Sequence, residues 1–352
     1  KPTPLRTGYE RVLAHRTGDL FAQTAKQNGK VTSVTPTGII VEYEDGSTRG
    51  YELGRRFGNA GGLTIPQMVI TELKEGQKFK VGDVISYNPG FFEKDPLDPS
   101  SILWKAGVLV KTVLLESNDT LEDSSAISER LAEQISTRMT KIKTVVLNFD
   151  QAVHKTVKVG ESVKSDSILC IIENAVTADT GLFDTETIDT LKLLSSQTPL
   201  AKMNGVVERI EVFYHGDKED MSDSIRALSN VSDKELSSRY KSFNQKAFTG
   251  RVDDSFKIDG DPLLLDTVAI RFYITGSVPA GFGDKGVFGN QLKTVFGSVM
   301  PNPVKTESGE TVDAIFGAKS VYDRIVNSAF IIGTTNSLLK TISKRVVDIY
   351  RK

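Results

Sequence analysis

An internal repeat constrains the fold of this chain more than any other feature. Glu75–Ile85 (EGQKFKVGDVI) matches Val159–Leu169 (VGESVKSDSIL) position by position at a constant offset. Each copy runs glycine, two polar residues, an apolar residue, lysine, a turn, then two apolar residues. The copies are too short and too turn-rich for helix, so each reads as two short strands around a tight turn. Asn28-Gly29-Lys-Val and Asn204-Gly205-Val-Val form a second matched pair of strand starts. Gly29–Val34 alternates, Gly38–Gly46 is a strand ending in Asp-Gly, and Thr48–Leu53 is the return strand. The Asp45-Gly46 pair is expected to supply the positive φ angles of a tight hairpin.

Helical patterning is sparse. Glu122–Ile135 places Ile127, Leu131 and Ile135 on one face and predicts a helix, with Ser124 or Ser125 as N-cap. Val231–Tyr240 predicts a short polar helix within a charged insertion, Gly216–Asp254, whose composition suggests a projecting lobe or a partner-binding tip. The stretch Val321–Lys352 mixes Ile342, Val346, Val347 and Ile349 with basic residues and predicts a helix that docks on another chain. The fold class expected is mainly β with some α.

A length of 352 residues sets a prior of about two or three domains. Net charge is −1 and the pI about 6.4, so a stand-alone basic nucleic-acid binder is excluded. Any phosphate contact is then a local patch or is completed by other chains. No apolar run approaches the ~20 residues that span a bilayer, and no signal peptide is evident, so no membrane partner is expected. The chain begins at Lys1 rather than at methionine, and a trimmed or processed chain is expected. The single cysteine, Cys170, lies in an apolar run and is expected to be a buried thiol. His15, His154 and His215 share no ligand spacing, so no structural zinc site is expected.

Gly283–Arg324 holds the strongest chemical signal. Lys285 and Lys293 stand in a glycine-rich stretch with little helical pattern, and Arg324 follows. Lysine offers phosphate a point charge and arginine a bidentate fork, while the glycines let a backbone approach a ligand closely. A solvated hairpin with surface lysines reads equally well from this stretch alone. Glu122-Asp123 is an adjacent carboxylate pair: it either complements a helix dipole or contacts a metal-nucleotide. Asp259-Gly-Asp261 and Asp253-Asp254 read as loops.

The repeat resembles the small sandwich-barrel modules of biotinyl and lipoyl domains, but no lysine stands on an exposed hairpin tip between the motifs. A wider resemblance covers nearly the whole chain. Pro4-Leu-Arg-Thr-Gly8 with Glu10-Arg11, then Lys74–Val84, then Leu121–Leu131 (LEDSSAISERL) resemble, in order, motifs of one family. Pro199–Val212, Gly283-Asp-Lys285, Met300-Pro301, Gly309–Asp313 and Ser320–Arg324 continue the series. The family patterns are P-L-V-G-T-G-M-E, K-K-G-D-x-V-x-K-G-D-V, F-E-D-A-I-x-I-S-E-R-L, a flap start around N-G-x-x-G-x-V, G-D-K, M-P, G-x-P-V-D and G-V-P-S-R-M. The family is the β subunit of multisubunit DNA-directed RNA polymerase, and the resemblance is to its C-terminal portion.

That resemblance implies sandwich-barrel hybrid modules plus a double-psi β-barrel with an inserted flap. The implied divisions are 1–100 (hybrid-binding region), 101–150 and 262–335 (the two parts of the barrel), 151–261 (flap-like insertion) and 336–352 (docking helix). It implies that Glu122 and Asp123 lie near the incoming nucleoside triphosphate and its second Mg2+, that Lys285 and Lys293 contact the RNA 3′ end, and that Arg324 contacts triphosphate oxygens. The family's R-H-G-N-K-G is here Val287-Phe-Gly-Asn-Gln-Leu-Lys293, so Lys293 and Gln291 compete for the second lysine's place. The methionine after the arginine is Ile325. The aspartates that hold the catalytic Mg2+ belong to the family's β′ subunit and have no match here. The implied partners are therefore an N-terminal β-like chain, β′-like chains, a promoter-specificity factor at the flap, DNA template, RNA transcript and NTPs. A β subunit cut at these points resembles the split polymerases of giant-genome bacteriophages, which implies action in the cytoplasm of a bacterial host, with packaging in the virion also open. The rival readings are a non-catalytic nucleic-acid or polymerase-binding scaffold of the same fold and a biotinyl-type carrier.

Overall fold

A computed structural model of the chain describes residues 2, 6–60, 62–173, 197–289, 291–301, 303–324 and 327–351. It is mainly β with some helix, arranged in several sheets, none of them closed. The chain divides into two compact units. One comprises residues 1–24, 82–137 and 277–352; the other comprises 25–81 and 138–276. The expected flap-like insertion includes 174–196, which lies outside the described residues.

The second unit holds a four-stranded sheet in the order Thr48–Glu52, Gly38–Tyr43, Gly29–Thr35, Lys78–Phe79, and a six-stranded sheet that includes Gly205–His215 and Thr267–Val278. The repeat is a structural one. Gly29 pairs with Phe79, and Gly205 pairs with Val163. The Asn28 side chain accepts the Val81 amide at 3.0 Å, and Asn204 accepts the Ser165 amide at 2.8 Å. Val31 donates to Gln77 O and Val207 to Glu161 O, each at 2.9 Å. Gly76 and Gly160 both adopt positive φ, 80° and 91°, a conformation that costs glycine nothing. At the Asp45-Gly46 hairpin only Gly46 has positive φ. Asp45 contributes instead through its carboxylate, which accepts the Ser47 amide at 2.9 Å.

The main core of this unit gathers Val207, Ile270, Phe272, Ile274 and Cys170. Cys170 is a free, fully buried cysteine, and burial pushes its thiol up to about 12. The polar helix is longer than Val231–Tyr240: it runs Asp223–Ser242. It does not project, because Ile225 and Leu236 are buried together with Ser229, Ser232 and Asp233. Its polar residues are satisfied inward. Ser232 Oγ accepts the Val212 amide at 2.9 Å, and Asp233 accepts the Tyr214 hydroxyl and the Gly250 amide at 2.9 and 2.6 Å. Composition alone made this helix look solvated, but small polar side chains pair with strand backbone and become core.

In the first unit Asp95 is fully buried at the end of strand Phe92–Asp95. The Leu97 amide donates to it at 3.0 Å, Arg6 at 3.1 Å and Arg11 at 2.5 Å. The Leu97 hydrogen bond lowers its pKa most; burial opposes, and the two arginines add, leaving it at about 2 against an ordinary 3.8. Because the folded value is depressed, the stabilisation is present above the ordinary value and is lost as pH falls through about 2. Asp95→Asn should therefore melt lower than wild type at neutral pH, and the gap should close between about pH 4 and pH 2 in a thermal-melting series.

Candidate functional site

Five strands of the first unit build the site: β1 (Thr112–Leu114), β2 (Ser124–Ser128), β3 (Lys285–Phe288), β4 (Leu292–Met300) and β5 (Ala314–Phe316). They form one sheet in the order β1-β5-β2-β4-β3. The pairs β1–β5 and β2–β4 are parallel, while β2–β5 and β3–β4 are antiparallel. Each parallel pair joins one early strand to one late strand, so two distant segments interlock.

The expected helix over Glu122–Ile135 is a strand followed by a short helix. Ser124–Ser128 is β2, and the helix is Glu129–Gln134. Its N-cap is Ser128, whose hydroxyl accepts the Leu131 amide at 3.1 Å, not Ser124 or Ser125. Ser125, Ala126, Ile127 and Ser128 are all buried, which is the signature of a strand covered on both faces. Glu122-Asp123 thus sits in a turn before β2, and dipole complementation of that helix does not explain the pair. Glu122 has φ 52°, in the left-handed region that non-glycine residues rarely occupy.

That turn is riveted to β4. Asp123 O accepts the Val295 amide at 2.9 Å and the Thr294 hydroxyl at 2.7 Å, and Thr294 also bonds Ser125 Oγ at 2.8 Å. Arg324 then closes the cluster. Its guanidinium pairs with the Asp123 carboxylate and donates to Lys293 O at 3.2 Å. Both partners of this pair are partly exposed, so it contributes ~0–1 kcal/mol to stability. Its effect is to aim the guanidinium.

Lys285 lies opposite Val295 and Val287 opposite Lys293. Along β4, Leu292, Thr294 and Phe296 are buried while Lys293 and Val295 are exposed. Cross-strand partners share a face, so Lys285 and Lys293 are diagonal neighbours on the exposed one. Among the described residues neither lysine has a carboxylate within ion-pair distance. Gln291 is in the turn between β3 and β4, where its side-chain oxygen accepts the Ser328 hydroxyl at 2.8 Å. Asn290 and Ile325 lie outside the described residues. Glycine matters at Gly286, where a Cβ would stand 2.5 Å from the Phe296 ring.

At the far end of β4 a second cluster forms around Asp313, which is buried. It pairs with Arg130, accepts the Lys111 amide at 2.9 Å through its carboxylate, and accepts the Ser128 amide at 2.8 Å through its carbonyl. It lines a cleft of about 650 Å³ together with Lys111, Met300, Pro301, Lys305 and Lys340. Sequence reasoning gave no role to Thr294, Arg130 or Asp313. Arg130 and Asp313 stand in the stretches Leu121–Leu131 and Gly309–Asp313, so motif order was the signal that could have singled them out, whereas Thr294 has none in its local spacing.

Asp259-Gly260 forms the turn between Lys257–Ile258 and Asp261–Pro262, with φ of 52° and 100°, and Asp259 pairs with Arg271 at 3.0 Å. Asp253 accepts the Ser255 amide at 3.0 Å. Among the described residues no three His, Cys, Asp or Glu side chains gather as a metal-holding group, and no helix is long and apolar enough to cross a membrane. The sequence matches no protein-family model and no curated protein.

The Thr294 hydroxyl has one proton, so it donates to Asp123 O and accepts from the Ser125 hydroxyl. Thr294→Val should destabilise the chain by ~1–3 kcal/mol by leaving the buried Ser125 hydroxyl without its partner. Chemical denaturation should show this as a lower midpoint with an unchanged slope.

Proposed function

We propose that the chain is a β-like subunit fragment of a multisubunit DNA-directed RNA polymerase, contributing groups that hold the nucleoside triphosphate and the RNA end. One observation carries the reading. The stretches that resemble the family's E-D, G-D-K and S-R-M motifs are far apart in sequence, yet they meet around β4 through Asp123, Lys285 and Arg324. A generic surface hairpin gives no reason for Arg324 to reach Asp123. The interlocked parallel pairs, in a sheet that is not closed, and the repeated Gly29 and Gly205 units add support to the reading.

The chemistry follows from positioned charge. Phosphoryl transfer needs little covalent help from protein; catalysis is mostly positioning and stabilisation of developing negative charge. Arg324, steered by Asp123, offers a planar fork to triphosphate oxygens, and Lys285 and Lys293 offer two point charges to the RNA end. The register favours Lys293 over Gln291 for the second of these, since Lys293 shares the face of Lys285 and Gln291 is engaged by Ser328. Glu122 and Asp123 do not by themselves make a metal-holding set, and Asp123 is already paired with Arg324. Mg2+ would be held by a β′-like partner and would neutralise phosphate charge when bound. The role of this chain is to orient the substrates against it.

The chain alone should not polymerise. Reconstituted with its co-purifying chains, Lys285→Ala and Arg324→Ala should each lower kcat by about 10²–10³-fold, the usual cost of one preorganised charge contact. Single-nucleotide extension kinetics measure this. Wild-type rates for both variants, or templated synthesis by the chain alone, would overturn the assignment.

A further inference from the structure

Phe282 is the most anomalous side chain near the candidate site. It is 82% exposed, and it sits at the tip of the turn leading directly into Lys285. Single exposed apolar residues are ordinary on any surface. Here the backbone beneath the ring is unusually fixed. Asp284 Oδ2 accepts the Gly281 amide at 2.9 Å. Gly283 donates to Phe296 O and Phe296 donates to Asp284 O, both at 2.8 Å. Gly283 takes φ 87°, which lets the chain reverse without strain. Every bond in the turn is made by its neighbours, and the ring itself is left presented to solvent.

The surface beside it has a consistent composition. Val287 and Val295, on the same face as Lys285 and Lys293, are also exposed. Phe282 is three residues from Lys285, so their Cα atoms are at most about 11 Å apart. An aromatic ring on a rigid support, with cations within a nucleotide's reach, is the composition of a single-strand platform: the base stacks and the phosphate meets the lysine. We propose that Phe282 stacks on a nucleobase of a single-stranded RNA whose adjacent phosphate lies on Lys285. The proposal rests on the reading of the Lys285–Lys293 face as an RNA-contacting surface.

The test uses the full chain, a short single-stranded RNA, an abasic ribose-phosphate oligomer of the same length, and a free nucleoside triphosphate, at low salt. Phe282→Ala should weaken the RNA about tenfold, within the range for one stacked base, and leave the abasic oligomer unchanged. Phe282→Trp should restore binding, and its added fluorescence should be quenched by RNA over the background of Trp104, the single native tryptophan. Phe282→Leu should not restore it. Lys285→Glu should weaken both oligomers. If Lys285→Glu weakens both while Phe282→Ala changes neither, or changes both equally, stacking is wrong and the phosphate-contacting surface stands. If Lys285→Glu with Lys293→Glu changes neither, the surface reading falls, and the stacking proposal with it. A loss confined to the free triphosphate would assign the ring to the incoming nucleotide and overturn the RNA assignment.

Discussion

The parallel pairing of β2 with β4 is the constraint on which the rest of the first unit depends. It sets Ser124 opposite Val295 and Ser128 opposite Met300, and so positions every group discussed above. Parallel neighbours cannot be joined by a tight turn; the chain must leave the sheet and return. Here the connection includes all of residues 138–276, a part of the second unit with its own sheets and core. A flexible loop of that length would carry a large closure entropy, although the cost grows only slowly with length. The insertion avoids most of it because its two ends are held together. Thr140 and Thr275 share a hydroxyl hydrogen bond at 2.7 Å, and both are buried. Once that insertion folds, β2 and β4 are effectively joined by two short tethers.

The same pairing explains why the candidate site stands at the end of the sheet where β2 begins. The backbone of Asp123 bonds to β4 just before the ladder starts, and Thr294 and Ser125 fill the space beneath with paired hydroxyls. Gly297 is required one step further along, since a Cβ there would stand 2.3 Å from Ser124 Oγ and 3.0 Å from Asp119 O. The left-handed Glu122 is therefore held in place by the bonded residues on either side of it. Arg324 is placed by two contacts from different segments, one to the Asp123 carboxylate in the turn before β2 and one to the Lys293 carbonyl in β4. Neither contact is a large source of stability at a partly exposed position, so the arrangement is explained better by aim than by folding energy.

Much of the β architecture was legible because its signals are local. Glycine turns, alternation and the repeated segment around Gly76 and Gly160 each specify a short piece of backbone, and the structure realises them with matching hydrogen bonds. The failures also share a cause. Ile127, Leu131 and Ile135 recur at helical spacing, but Ile127 belongs to β2 and Leu131 to the following helix. A strand that feeds a helix can imitate one continuous amphipathic face. The helix Asp223–Ser242 was read too short and too exposed because Ser232 and Asp233 look like surface residues until their strand partners are known. Of the candidate site, Glu122, Asp123, Lys285, Lys293 and Arg324 were named from motif order; their mutual geometry was not accessible, because it arises from pairing across the whole insertion.

Net charge alone argues against a stand-alone polyanion binder, but the proposed reading requires only a local group of cations. Phosphate responds to the field within roughly a Debye length, ~8–10 Å, rather than to the sum over 352 residues. Lys285, Lys293 and Arg324 share one end of one sheet, with Asp123 committed to the arginine. Elsewhere several acidic residues are paired locally: Asp95 with Arg6 and Arg11, Asp313 with Arg130, Asp259 with Arg271, Glu52 with Arg239. A chain of net charge −1 can therefore present two lysines without carboxylate partners among its described residues.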